Sequence, residues 1–195
     1  MQRSRLCVLM VLMLSGAGLA VGLTNLWIDV PFVPQQKDGC GAASIAMVMQ
    51  YWERQQGRPT HEYAGSAQIL RALHSNAAHG IYASDMVRYF QQNGYRTFAF
   101  SGTWADLERE LGKGRPLIVA LHAGSGRELH YVVVAGLDDE HQLVLVNDPA
   151  QRKLLKEDQA RFEREWKASG YWTLLAVPQA SPSGLPGSQR SPGSP

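Results

Sequence analysis

The hydrophobic period of this chain changes at Gly94, and that change restricts the folds open to it. Upstream, in GAASIAMVMQYWERQ, Ile45, Met49 and Trp52 recur with Ala42, Ala46 and Tyr51 at helical spacing, so a helix with one wide buried face starts at Cys40. Thr60 is placed to cap a second helix through Leu73. Ser84 and Asp85 are placed to cap a third, MVRYFQQN, which stops at Gly94 as a C-terminal glycine does. Downstream the pattern is that of strands: Tyr95 to Phe100, Pro116 to Leu121, and a hairpin of His130 to Gly136 with Gln142 to Asn147, turning at Asp138-Asp139-Glu140-His141. Thr103 to Gly112 reads as a short helix with Thr103 and Asp106 at capping-box spacing, Lys156 to Ala168 as an amphipathic helix, and Tyr171 to Val177 as a closing strand. Helices first and antiparallel strands second predict an α+β class rather than a doubly wound sheet.

The chain divides into three segments. MQRSRLCVLMVLMLSGAGLAVG opens with two arginines, an apolar stretch from Leu6 to Leu14, and Gly18 and Ala20 at small-x-small spacing, the pattern of a secretory signal over residues 1–20. The uncharged run continues to Ile28, and a helix of that length crosses ~30 Å of hydrocarbon, so an uncleaved N-terminal membrane anchor is the other reading. Both readings export the domain, to a periplasmic or extracellular location, because Arg3 and Arg5 keep the N-terminus inside. Residues 27–178 form one domain, and residues 179–195 are a Ser, Pro and Gly tail expected to be disordered.

Composition excludes several classes of function. With 45% apolar and 18% charged residues the chain is globular, neither wholly disordered nor a multi-span membrane protein. The formal charge of +2 turns slightly negative for the domain once Arg3, Arg5 and Arg190 are set aside; no concentrated basic face remains, and no nucleic-acid partner is expected. His61, His74, His79 and His122 fit neither H-E-x-x-H nor any Cys/His ligand spacing, so no metal and no cofactor is expected. Lys153, Lys156, Arg161, Arg164 and Lys167 alternate with acids and read as a solvated face.

Of the two cysteines, Cys7 lies in the export segment, which leaves Cys40 as the one thiol of the domain and rules out an internal disulfide there. At the head of a buried helix, Cys40 would meet unsatisfied N–H groups and the positive end of the helix dipole, which stabilise a thiolate. A buried structural thiol is the competing reading. His130 follows the glycine-containing stretch Ala123 to Arg127 and begins an apolar strand, so its ring is expected at a sheet end. In a hairpin turning near Asp139, residues facing each other have numbers summing to about 278, which sets His130 opposite Asp148. A carboxylate there would hold the imidazole tautomer, as the third member of a catalytic triad does.

VPFVPQQKDGCGAASIAMVMQYW, followed some 90 residues later by HYVVVAGLDDEHQLVLVNDP, resembles the bacteriocin-processing, double-glycine-type cysteine peptidases (cysteine peptidase family 39) and their stand-alone exported relatives. The resemblance spans most of Ile28 to Val177. It implies a papain-like fold with N-terminal helices packed on an antiparallel sheet, Cys40 as nucleophile, His130 as general base and acid, Asp148 as orienting residue, and Gln35 as oxyanion donor beside the Cys40 backbone N–H. Papain-like enzymes often place this glutamine six residues before the cysteine, so Gln36 competes with Gln35. Ala42 stands where many relatives have proline. The implied activity is hydrolysis of a peptide or protein substrate through a thioacyl intermediate. A non-catalytic peptide-binding domain of the same fold, or an amide hydrolase or acyltransferase using the same triad, are the alternatives. No G-x-x-x-x-G-K-[ST] loop occurs, so this chain brings no ATPase of its own.

Overall fold

The computed structural model describes residues 25–61, 64–122 and 129–179; the segment read as a secretory signal or membrane anchor, the glycine-containing stretch at 123–128 and the tail from 180 onward lie outside them. The elements run β1 (Asn25–Trp27), α1 (Cys40–Gln55), α2 (Ser66–Leu73), α3 (Ala83–Gln92), β2 (Tyr95–Ser101), α4 (Trp104–Leu111), β3 (Leu117–Leu121), β4 (His130–Asp138), β5 (Leu143–Asn147), β6 (Leu155–Asp158), α5 (Gln159–Ala168) and β7 (Trp172–Pro178). All pairings are antiparallel, in the order β2-β7-β3-β4-β5-β6. The nine-residue β4 is longer than β3, and β1 fills the remainder of the same edge by pairing Trp27 with Gly136 and Asn25 with Asp138. The α+β expectation holds.

The sheet is covered on both faces. Against one face α1, α2 and α3 pack Ile45, Met49, Ile69 and Phe90 onto Ile118, Tyr131, Val133 and Leu174. Against the other, α4 and α5 pack Leu107, Leu111, Phe162 and Trp166 onto Val119, Val132, Val134, Val144 and Leu175. Double coverage explains why LIVAL and HYVVVAGL lack the in-out alternation usual for antiparallel strands. The central helix α1 is buried nearly all round, and its first turn is small-sided because its neighbours are close: a Cβ at Gly41 would lie 3.3 Å from Ile81 Cβ and 3.5 Å from the Tyr131 ring.

Local chemistry explains most element ends. Thr103 and Asp106 form the reciprocal capping box of α4, and Gly94 takes φ 83° after α3, a conformation that favours glycine. Three boundaries differ from expectation. Thr60 caps nothing: α2 begins at Ser66, because Glu53, wholly buried at the end of α1, accepts the His61 N–H and holds residues 58–61 in a loop. Ser84 and Asp85 lie inside the first turn of α3, whose cap position is Tyr82. Lys156 to Asp158 are strand rather than helix. They belong to β6, which pairs with the otherwise open edge of β5, and α5 starts only at Gln159 with the Asp158 carboxylate accepting the Arg161 N–H.

Candidate active site

The site is assembled where the head of α1 meets the end of the sheet that carries the start of β4 and the exit of β5. Ahead of α1, Gln36 to Gly39 form a tight turn closed by the Gly39 N–H on the Gln36 carbonyl at 2.9 Å, with Asp38 at φ 58°. A Cβ at Gly39 would lie 2.8 Å from the Gln36 carbonyl oxygen, so glycine is what permits this turn. The turn delivers Cys40 as the first helical residue. No side chain caps the helix and no acid occupies its first turn, so no side chain competes for the N–H groups at its head. Cys40 is a free, partly exposed thiol, not a sealed one. It opens onto a cleft of about 610 Å³ lined also by Tyr131, Leu129 and the residues from Ala77 to Ala83 that lead into α3.

His130 is the first residue of β4, opposite Leu121 on β3. Its Nε2 lies 2.8 Å from Asp148 Oδ1, and the Cys40 side chain is near enough to the ring to raise its pKa together with Asp148. The expected facing of His130 and Asp148 is realised as contact but not as direct pairing. The hairpin pairs Asp138 with Leu143 and Val133 with Asn147, with a bulge between Val134 and Gly136, so its register runs two to three residues beyond the expected sum. Asp148 lies one residue past the last pair and reaches His130 diagonally.

Asp148 is buried, and each of its oxygens is occupied. Oδ1 accepts from His130 and from the Ala150 N–H at 2.8 Å; Oδ2 accepts from Gln151 Nε2 at 2.6 Å. Burial alone would raise the Asp148 pKa, but the hydrogen bond and charge of His130, with the Ala150 and Gln151 donors, hold it below the ordinary carboxylate range. Burial pulls the His130 pKa down, yet hydrogen bonds to Asp148 and Cys40 and their charges outweigh it and push the ring up to about 9. The imidazole is therefore protonated at neutral pH. Burial, with the nearby Cys40 sulfur adding to it, pushes the Tyr131 phenol up to about 12, so the cleft wall beside the thiol stays uncharged.

Gln35 and Gln36 are separated by exposure. Gln36 projects into solvent, whereas Gln35 is half-buried with its Oε1 buried and unbonded among the described residues. The Gln35 backbone is fixed by its N–H on the Pro149 carbonyl at 2.9 Å, next to Asp148. Tyr131 and Gln151 are site residues that sequence reading misses. The position of Gln151, three residues after an aspartate in a turn, is a usable signal; that of Tyr131 is not, since it reads as core. A slightly larger groove, about 660 Å³, runs along β2 and α4 and contains none of these groups. Among the described residues no group of three or more His, Cys, Asp or Glu side chains converges as metal ligands would.

The fold is shared with known proteins. The structure is similar to that of a putative C39-like peptidase from Bacillus anthracis, at 17% identity and a TM-score of 0.63, covering 81% of this chain and 100% of that one. It is similar to the peptidase domain of Streptococcus ComA, a bi-functional ABC transporter, at 24% identity and a TM-score of 0.59, covering 77% and 100%. A double glycine motif protease from an AMS/PCAT transporter, solved with its leader peptide, matches at 21% identity and a TM-score of 0.58, covering 80% and 97%. These likenesses establish the papain-like peptidase fold. No curated protein matches the chain at a significant level. The model of the Peptidase_C39 like family matches residues 27–174, a span that includes Cys40, His130 and Asp148, and the chain belongs to that family.

Proposed function

We propose that the chain is an exported cysteine peptidase in which Cys40, His130 and Asp148 form the catalytic triad and Gln35 supplies an oxyanion donor. The observation that carries this reading is the position of the His130 ring, bonded to a buried carboxylate at 2.8 Å and close to a free thiol that opens onto a cleft. In acylation the Cys40 sulfur, as thiolate, attacks the scissile carbonyl carbon. The carbonyl π electrons move to oxygen, where the Cys40 backbone N–H and the Gln35 amide stabilise the oxyanion. Collapse of the intermediate breaks the C–N bond, and the protonated His130 gives its proton to the departing amine. In deacylation neutral His130 takes a proton from water, the hydroxide adds to the thioester, and the thiolate leaves as the acid product is released. Asp148 holds the ring in place through both halves and stays ionised.

A peptide substrate fits the open cleft beside Cys40, and the bound leader peptide of the AMS/PCAT relative supports that substrate class. Profiling cleavage of a peptide library by wild type and by Cys40→Ala tests the reading. Hydrolysis is expected to vanish in the variant while the thermal midpoint stays nearly unchanged; full retained activity would exclude the mechanism. Mass spectrometry of the exported protein distinguishes a cleaved signal from a retained anchor.

A further inference from the structure

The groups of the proposed site come from two stretches of chain some 90 residues apart, and two buried polar side chains tie those stretches together. Ser44, one turn after Cys40, donates its hydroxyl to the Tyr131 carbonyl at 3.2 Å and so fixes the head of α1 to the start of β4. Asn147, wholly buried at the end of β5, does the corresponding work for the segment before Cys40. Its Nδ2 donates to the carbonyls of Val30 at 3.1 Å and Pro31 at 3.3 Å, and its Oδ1 accepts the Leu154 N–H at 2.9 Å. Four residues beyond Pro31, the Gln35 N–H bonds the carbonyl of Pro149. Pro31 and Pro34 have no N–H to give, so the chain between Ile28 and Gln35 has few means of holding itself against the sheet.

From this geometry we infer that Asn147 is a positioning residue for the oxyanion site: by clasping Val30 and Pro31 it sets where Gln35 stands relative to the His130–Asp148 pair. The inference rests on the reading of Gln35 as an oxyanion donor. Asparagine suits the place because its amide supplies two donors and an acceptor on one short side chain. Alanine would leave two carbonyls and one N–H without partners, and aspartate would keep the acceptor for Leu154 but set a carboxylate oxygen against the two carbonyls. Asn147 touches no reacting atom. Its effect is confined to the steps that need Gln35.

Two reactions at Cys40 separate those steps from the rest. With p-nitrophenyl acetate the sulfur adds to the acetyl carbon through a tetrahedral oxyanion, and the C–O bond breaks to release p-nitrophenolate with its electron pair. With iodoacetamide the sulfur displaces iodide at a saturated carbon, and no oxyanion forms. On the full chain, with circular dichroism showing the fold intact, Asn147→Ala and Asn147→Asp are expected to slow acylation about 10- to 100-fold, the size of a misplaced catalytic group, and to leave alkylation unchanged. In a Gln35→Ala background, Asn147→Ala is expected to slow acylation no further, because both substitutions remove the same interaction. Parallel loss of both reactions, losses that multiply in the double variant, or unchanged acylation would each overturn the role of Asn147. Acylation that survives Cys40→Ala would instead overturn the thiol-hydrolase reading, whereas a burst that needs Cys40 and Gln35 but not Asn147 would overturn the clasp alone.

Discussion

Replacing Asp148 by asparagine keeps the size of the side chain at the end of β5 and removes its charge. Burial alone would depress the His130 pKa, and the hydrogen bonds and charges of Asp148 and Cys40 instead take it from 6.5 to about 9, a rise of about 2.5 worth roughly 3 kcal/mol at 1.36 kcal/mol per pH unit. That figure is an upper bound on the contribution to stability, because 30% of the His130 side chain faces water and screens the pair. Asp148 is the larger of the two raising influences, so more than half of the rise is expected to disappear in Asp148→Asn, bringing the midpoint below about 8. An NMR titration of the His130 Hε1 proton in the two proteins reads this directly. The sign for stability follows. Because the folded pKa lies above the unfolded one, the wild-type contribution is complete below about 6.5 and is lost as pH rises through about 9. The depressed Asp148 pKa acts at the other end, contributing above its ordinary unfolded value of about 3.9 and failing as pH falls. Urea unfolding should therefore show wild type losing stability between pH 6 and pH 9, with a flatter profile in Asp148→Asn. A His130 midpoint that stays near 9 in the variant would refute the assignment of Asp148 as the group that holds the imidazole charged.

Further outcomes follow from the same geometry. Gln35→Ala should lower kcat by ~10²- to 10³-fold, the usual loss for one oxyanion donor, while Gln36→Ala should leave it unchanged, since that side chain faces solvent; steady-state kinetics on one cleaved peptide compares them. Gly39→Ala should force the Gln36–Gly39 turn apart, because its Cβ would lie 2.8 Å from a backbone oxygen, and the displaced Cys40 should cost about 10- to 100-fold in kcat, read in the same assay. Thr103→Ala removes the capping box of α4 and should cost about 1 kcal/mol by urea unfolding without altering kcat, since α4 packs on the sheet face away from α1.

Much of the site was legible because it depends on local pattern. The helix beginning at Cys40, the capping box at Thr103, the glycine stop at Gly94 and the apolar hairpin are each written in residues within a few positions of one another, where propensity and periodicity act. Misplaced boundaries have non-local causes. Thr60 fails as a cap because a buried glutamate on α1 claims the loop, and Lys156 to Asp158 become strand because an open edge of β5 lies beside them. Double coverage of β3 and β4 likewise needed helices from both ends of the chain.

From the amino-acid order alone come a cysteine at a helix head, a histidine at a strand start, an aspartate after its partner strand, and the α+β class, since all of these are set by short-range spacing. Whether sulfur, ring and carboxylate meet depended on the tertiary structure: the place of the turn and a one-residue bulge set the hairpin register, and hydrogen bonds from Ser44 to the Tyr131 carbonyl and from the Gln35 N–H to the Pro149 carbonyl join segments distant in the chain. Distances between such segments are fixed by packing and buried polar pairing across the whole sheet, which no window of sequence contains.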